Sequence, residues 1–135
     1  NALTIAAQQT FRGVFGHLVT VTSISEDNFV VAQVGRGWIA AEDRTSLYQF
    51  VWRAGPESGT TVAAYTNWRS GEPNNSGGNE RCLQNADGID NKWADYNCAS
   101  ALLFVVEYEC PAGYEFGLTA CQSKLRLSCT DMTMS

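Results

Sequence analysis

Near the start of the chain, apolar residues recur at intervals of three and four positions, which is the spacing of one face of a helix. Gly16 follows this run, and glycine is common just beyond the end of a helix. The pattern therefore predicts a first helix over residues 3–14. Its apolar positions are Leu3, Ala6, Ala7, Phe11 and Val14.

A second helix is predicted after a short β-rich stretch at residues 18–22. Ser23 is followed three positions later by Glu26, the signature of a capping box, in which the two side chains satisfy backbone N–H groups at the helix start. Gly35 stands where the helix would stop. The second helix is therefore expected over residues 24–34.

Beyond Gly37 the pattern changes to short apolar runs, which are typical of strands. These runs cover residues 38–41, 48–52 and 102–109. Between Trp68 and Trp93 lies a long region dense in Gly, Asn and Asp, interrupted by residues 81–84. Because a loop of that length inside a compact domain is usually functional, this region is the first place to look for a binding site.

The composition changes from Pro111 onward, where Pro-Ala-Gly-Tyr precedes Cys121 and a polar tail follows Cys129. We therefore predict one domain over residues 1–110 and a Cys-containing extension over residues 111–135, which looks like the opening of a small extracellular Cys-rich repeat. The first residues show neither Met nor a signal-peptide pattern, so we expect the chain to be a piece of a larger protein.

Charge and composition exclude several classes of partner. The chain has 135 residues, 44% of them hydrophobic, and a net charge of −5 with nine scattered Lys and Arg. An acidic globular chain without a basic patch is a poor ligand for nucleic acid or an anionic membrane. Its longest uncharged apolar run, residues 99–106, is far shorter than the roughly 20 residues of a membrane-spanning helix. We expect neither nucleic-acid binding nor membrane insertion.

The five cysteines indicate an oxidising compartment, because none of them forms a Cys-x-x-Cys pair of the kind used in zinc sites and redox dithiols. We expect an extracellular protein, either secreted or at the cell surface. An odd number of cysteines leaves one thiol free or bonded to a partner outside these residues.

Several motifs follow one another in a recognisable order. They are residues 16–23, Gly37-Trp38-Ile39, Glu72-Pro73-Asn74, Glu80-Arg81-Cys82-Leu83 and Trp93-Ala94-Asp95, with Cys82, Cys98 and Cys110 spaced along them. In this order and spacing the chain resembles C-type lectin-like domains over roughly residues 1–110. The resemblance implies an α+β fold, with two helices packed on small antiparallel sheets and a long loop region that carries a calcium site and a sugar site.

In the family's sugar binders, residues matching Glu72, Asn74, Glu80 and Asp95 surround one Ca²⁺ and also bind the sugar. The chemistry suits these side chains, because Ca²⁺ takes six to eight oxygen ligands at about 2.3–2.6 Å. Pro73 is expected in a cis peptide, which would aim the neighbouring oxygens at one point. Glu-Pro-Asn, as opposed to Gln-Pro-Asp, resembles the mannose-type motif, so a glycan or glycoprotein is the expected partner.

The sequence departs from that pattern at Ala94, where the sugar binders carry Asn. One calcium oxygen is therefore missing, and we expect reduced affinity unless Asp90, Asn91 or Asn97 substitutes. The family's auxiliary calcium site is not supported, because Asp43 is its only matching acid while other positions hold Leu47, Asn75 and Arg81. At most one metal ion is expected.

The resemblance also bears on the cysteines. Phe11 occupies the position of a Cys that pairs, in many members, with the Cys at the end of the last strand. The implied disulfide joins Cys82 to Cys98, whereas Cys110 is expected to belong with the segment that contains Cys121 and Cys129.

Other readings remain open. The domain would bind protein or neighbouring modules of a larger assembly, without calcium or sugar, if the departures abolish the site. Glu72 and Glu80 could form a glycosidase pair, although the flanking Pro73 and Asn74 favour metal ligation, or they could be a solvated turn. Asn74-Asn75-Ser76 is a formal glycosylation acceptor, and a glycan there would remove a calcium ligand.

An enzyme is not expected, because the residues of a catalytic triad cannot be assembled from this chain. It has one histidine, His17, and lacks a Gly-x-Ser-x-Gly motif. We interpret His17 as a structural residue at a helix-to-strand junction.

Overall fold

The computed structural model describes residues 1–44, 47–87, 90–116 and 121–123. They confirm an α+β fold, with helices α1 (Ala2–Gln8) and α2 (Ile24–Val34) and small, mostly antiparallel sheets. In the described ranges, no helix is long and apolar enough to cross a membrane. The strands are β1 (Thr10–Phe11), β2 (Val14–Phe15), β3 (His17–Leu18), β4 (Gly37–Glu42), β5 (Val51–Trp52), β6 (Glu80–Asp87), β7 (Lys92–Asn97), β8 (Leu103–Phe104), β9 (Val106–Glu107), β10 (Tyr114–Phe116) and β11 (Cys121–Ser123).

Helix α1 is shorter than predicted, because the chain forms a hairpin directly after it. The helix ends at Gln8. Arg12 and Gly13 both have positive φ (49° and 78°), as a type I′ hairpin turn requires. Phe11 and Val14, which the helical spacing assigned to the first helix, therefore pair across β1 and β2. The prediction of a helix as far as residue 14 was wrong.

Helix α2 begins and ends where the sequence predicts. The Glu26 N–H donates to the Ser23 hydroxyl (3.2 Å), and the Glu26 carboxylate accepts from the Thr22 N–H (2.6 Å). Gly35 follows the helix with a φ of 63°, a conformation that favours glycine. Because backbone donors at the start are satisfied and a glycine ends the last turn, the predicted bounds, residues 24–34, are confirmed.

The core sheet has the strand order β5-β4-β6-β7, with neighbouring strands antiparallel, and β8 joins β4 in parallel. Every residue of β4 is buried, as is typical of a strand covered on both faces. The predicted strand at residues 38–41 lies within β4. The one at residues 48–52 is reduced to β5, because Tyr48 has a positive φ (65°) and leaves the extended conformation.

The last apolar run, residues 102–109, forms two short strands where one was predicted. β8 pairs with β4, whereas β9 pairs antiparallel with β3, and the Val105 carbonyl between them accepts from the Val19 N–H (3.1 Å). Gly16 allows β9 to approach closely, since a Cβ at that position would lie 2.4 Å from Val106 Cγ1. The β3–β9 ladder thus joins the beginning of the domain to its end.

The tryptophans lie in or against the core, as expected for aromatic side chains at strand positions. Trp38, Trp52 and Trp93 are buried, and Trp93 is fully inaccessible. Trp68 is half-buried and packs its ring against Phe50 (5.1 Å between centroids) and Trp93 (5.9 Å). These rings therefore form the part of the core on which the long loop region between Trp68 and Trp93 rests.

A disulfide joins Cys82, near the start of β6, to Cys98, directly after β7, with the Cα atoms 5.2 Å apart. This is the pair that the resemblance implies. Cys110 is also disulfide-bonded, but the expected link to Cys121 or Cys129 falls outside the described side chains.

Replacing Cys82 and Cys98 together with alanine is expected to lower the free energy of unfolding by about 3 kcal/mol. The bridge spans a sequence separation of 16 residues, and without it the unfolded chain gains the entropy of an unclosed loop. Urea denaturation of the double variant and the parent at equal protein concentration measures the difference. A loss below about 0.5 kcal/mol would mean that the bridge is not a stabilising link.

Candidate functional site

The long loop region turns sharply at Glu72–Pro73, whose peptide bond is cis. Asp95 of β7 holds this turn on the core sheet. Its two carboxylate oxygens accept hydrogen bonds from the N–H groups of Asn74 (2.9 Å) and Asn75 (2.6 Å). Because Asp95 is only 2% exposed, these charge-assisted bonds are sheltered from water and fix the turn firmly.

Around this turn the structure brings together the four side chains that the resemblance identified. The side-chain amide of Asn74 donates through Nδ2 to Glu72 Oε1 (2.7 Å). The Ser76 N–H is shared between Asn74 Oδ1 (2.7 Å) and Glu80 Oε2 (2.9 Å). Together with the Asp95 carboxylate beneath the turn, three acidic side chains and one amide surround a single stretch of backbone.

The backbone between Asn74 and Glu80 reverses direction through residues suited to it. Asn75 has a left-handed φ of 49°, which Asn tolerates better than most residues, and Gly77 follows with φ of 69° inside a 3-10 turn. The Asn75 side chain accepts from the Glu80 N–H (3.0 Å). The reversal therefore returns Glu80 to the cis turn.

Ala94 lies beneath the same region and is buried (3% exposed), opposite Gln84 in the core sheet. Its methyl group offers no oxygen. Two of the three residues considered as substitutes use their side chains elsewhere: Asp90 pairs with Arg69 (2.8 Å), and the Asn97 amide oxygen accepts from the Ala99 N–H (2.9 Å). The backbone carbonyl of Asn91, the third, accepts from the Asn67 amide (3.1 Å). Asn97 is also the cross-strand neighbour of Glu80.

Asp43, the acid that matches the family's auxiliary calcium site, is fully buried. It accepts hydrogen bonds from the Tyr48 N–H (3.0 Å) and from the Arg81 guanidinium (3.4 Å). A fixed positive charge thus lies beside this carboxylate. Tyr48 itself, half-exposed, places its hydroxyl 3.5 Å from the Asn74 carbonyl oxygen, a neighbour of the cis turn that residue spacing did not indicate.

A buried polar network supports the site from helix α2, and no pattern in the sequence predicts it. Asp27, 1% exposed, accepts hydrogen bonds from the Tyr65 hydroxyl (2.9 Å), the Asn67 amide (2.7 Å) and the Trp93 indole N–H (3.2 Å). Trp93 precedes Ala94 and Asp95 in β7. The network therefore connects α2, the loop before the cis turn and the strand beneath it.

This network has a consequence at alkaline pH. Burial, together with the hydrogen bond to Asp27, raises the pKa of Tyr65 to about 12 from an ordinary value of 10.0. The folded chain retains this proton where the unfolded chain loses it, so the contribution of Tyr65 to stability should fall as pH rises from about 10 to 12. We expect a weaker pH dependence over that window for Tyr65→Phe, measured by denaturation at several pH values. Equal slopes for the two chains would contradict the shift.

Two helices and small sheets carry a long loop region with a cis Glu-Pro-Asn turn. This arrangement defines a lectin-type recognition module. The chain belongs to the C-type lectin family: the family model described as "Lectin C-type domain" matches residues 5–108. This is a carbohydrate-binding family of non-enzymatic recognition modules, so the chain is not an enzyme.

Known proteins resemble the chain over most of this span. Perlucin from Haliotis laevigata is 31% identical over 100 residues, which cover 69% of this chain and 61% of perlucin, so the chain spans less than two thirds of that relative. Among solved structures, CEL-I from Cucumaria echinata is 25% identical with a TM-score of 0.62, covering 81% of this chain and 82% of CEL-I. The cow carbohydrate-recognition domain of CD23, solved in the presence of GlcNAc2Man3 oligosaccharide, is 31% identical with a TM-score of 0.52 and 67% coverage of both chains.

Proposed function

We propose that this domain binds one Ca²⁺ through Glu72, Asn74, Glu80 and Asp95 and, through that ion, a mannose-type sugar. The observation that carries the proposal is the convergence of these four side chains around the cis turn. Carboxylate and amide oxygens are the ligands that Ca²⁺ prefers. Their chemistry, and their hydrogen bonds around one short stretch of backbone, fit a single ion.

The four residues would take different roles in binding calcium and the sugar. When bound, Ca²⁺ supplies coordination sites for two vicinal hydroxyls of the sugar. Asn74 is exposed, and Glu72 and Glu80 are half-buried, so these side chains are accessible for hydrogen bonds with the same hydroxyls. Asp95 is buried beneath the turn, so within this proposal it is a calcium ligand that positions the turn, and direct sugar contact falls to the other three.

Two features bear on affinity and specificity. The buried methyl of Ala94 removes one expected oxygen, so the calcium affinity should lie at the weak end for extracellular modules, at a Kd on the order of 10⁻⁴–10⁻³ M. The likeness to the CD23 domain, solved with a mannose-containing oligosaccharide, supports sugars of the mannose type. The disulfides support an extracellular location.

The second candidate is a calcium-independent module that binds protein or packs against neighbouring modules of a larger extracellular protein. Ala94 favours it, because the missing oxygen weakens the metal site. The two candidates differ in a single property, since only the first requires calcium for ligand binding.

Capture of mannosylated albumin by beads that carry many copies of the domain distinguishes them, because simultaneous binding of several sugars by several domains compensates for the weak affinity of one site. We expect binding in millimolar Ca²⁺, loss of binding in EDTA, and little binding to galactosylated albumin. Glu72→Gln should reduce binding at least about tenfold, which corresponds to one lost charged interaction. Asp90→Asn, matched in chemistry, should bind normally because Asp90 pairs with Arg69. Binding that persists unchanged in EDTA would favour the second candidate.

A further inference from the structure

The β3–β9 ladder, apart from the cis turn, carries the chain's one histidine beside two acidic residues. His17 of β3 and Glu107 of β9 are directly opposite each other in the antiparallel register. Glu109 follows two positions later, and side chains two residues apart in an extended chain point to the same side. The topology therefore gathers an imidazole and two carboxylates at one end of the ladder.

The distances show that these groups meet. His17 Nε2 lies 3.7 Å from Glu109 Oε2, and His17 Nδ1 lies 4.0 Å from Glu107 Oε2. One donor atom from each residue can be chosen so that all three lie within 4.8 Å of one another. Within the described part of the chain, the ion pairs of Glu107 and Glu109 are with His17 and not with Lys or Arg.

The hydrogen bonds of His17 define its tautomer. Nδ1 lies 3.0 Å from the Leu18 carbonyl oxygen, which can only accept, so Nδ1 carries the proton and donates. In the neutral ring Nε2 then presents a bare lone pair. This atom is buried and has no hydrogen-bond partner among the residues that the structure describes. A lone pair that faces a carboxylate oxygen is repelled by it unless a proton or a metal cation lies between them.

The surroundings hold the ring and one carboxylate in place. Gly55 packs against the imidazole so closely that a Cβ there would lie 2.9 Å from His17 Cε1. The Thr20 N–H donates to Glu107 Oε2 (3.3 Å). The Glu107 side chain is only 28% exposed, so the protein shields much of this carboxylate from water. A carboxylate of this kind gains from a bound cation.

We propose that His17, Glu107 and Glu109 form a Zn²⁺ site that links β3 to β9. One imidazole and two carboxylates are zinc ligands, and the Nδ1 hydrogen bond to a backbone carbonyl is the usual support of a metal-bound histidine. Donors on a tetrahedral Zn²⁺ are roughly 3.3 Å apart, whereas these donor atoms lie within 4.8 Å of one another, so the side chains must close by up to about 1.5 Å. Glu107, which lies beside Nδ1, must turn toward Nε2, and Glu109 is 40% exposed and can adjust. Water takes the fourth position. Ca²⁺, which takes oxygen ligands, is disfavoured by the imidazole.

The test is a Zn²⁺ titration of the intact chain, followed by the nitrogen chemical shifts of its only imidazole. One equivalent of Zn²⁺ should shift Nε2 while Nδ1 keeps its proton. Glu109→Gln should weaken binding on the order of 10- to 100-fold. The chain should stay folded, because Glu109 lies at the surface and is 40% exposed. Asp90→Asn is the control with the same charge change and should bind like the parent.

Two outcomes would overturn the proposal. If Zn²⁺ leaves the imidazole signals unchanged, the cluster is an ion pair of protonated His17 with the two carboxylates. If Zn²⁺ binds equally well to Glu109→Gln, or if Co²⁺ in its place gives a thiolate charge-transfer band, the metal lies elsewhere. Glu80→Gln, which should lose calcium but retain Zn²⁺, separates this result from failure of the calcium proposal.

Discussion

Replacing Asp27 with alanine is expected to lower the free energy of unfolding by about 3–5 kcal/mol, because three donors lose their charged acceptor at once. Three donors, from Tyr65, Asn67 and Trp93, converge on this carboxylate. Without it they lose their acceptor in a region where Trp93 is fully buried, and each unsatisfied buried donor costs about 1–3 kcal/mol.

Urea denaturation measures this effect, and two other variants show where it comes from. Asp27→Asn keeps one acceptor oxygen and should lose less than Asp27→Ala. Glu26→Gln, at the preceding position on α2, is the matched control, because its amide oxygen can still accept from the Thr22 N–H. Losses of similar size for Asp27→Ala and Glu26→Gln would mean that α2 capping, and not the buried network, stabilises this region.

Replacing Asp95 with alanine is expected to cost about 2–3 kcal/mol of stability and to abolish any response to calcium. Its carboxylate accepts two backbone N–H groups of the cis turn, and a hydrogen bond to a charged group contributes about 1.5–3 kcal/mol. The expected loss stays near the value for one bond because, once the carboxylate is gone, water can hydrate the two freed N–H groups of a turn that lies at the surface. Once released, the turn no longer holds Glu72 and Asn74 together.

Asp95→Asn separates the two roles, because its amide oxygen retains one of the hydrogen bonds while the charge is lost. We expect about half of the stability loss of Asp95→Ala and the same loss of the calcium response. The measurements are urea denaturation in EDTA and the calcium dependence of the thermal midpoint. A calcium response that survives in Asp95→Ala would remove this residue from the site.

Features that depend on neighbouring residues were predictable from the sequence. The bounds of α2 follow from a capping box and a glycine, both within the helix and its flanks. Glu72, Asn74 and Glu80 lie within nine positions of one another, so a resemblance in spacing was enough to group them.

Features that depend on distant partners were not predictable. Helical spacing from Leu3 to Val14 is equally compatible with a short helix and a hairpin, and the Arg12-Gly13 turn decides between them. The last apolar run divides because its halves pair with different strands. Asp27 meets partners 38 to 66 positions away, and His17 meets Glu107 across the whole domain. Periodicity along the chain contains no information about such contacts.

The most direct test of the calcium site is the thermal unfolding midpoint in millimolar Ca²⁺ and in EDTA, with calorimetric titration to count the ions. An ion that binds the folded state alone must stabilise it. At several times the expected Kd the gain is about 1 kcal/mol, or roughly 2–4 °C for a domain of this size. The account predicts one Ca²⁺ per chain and a shift that is lost in Glu80→Gln and kept in Asp90→Asn. Equal midpoints in calcium and EDTA, without binding heat, would contradict it.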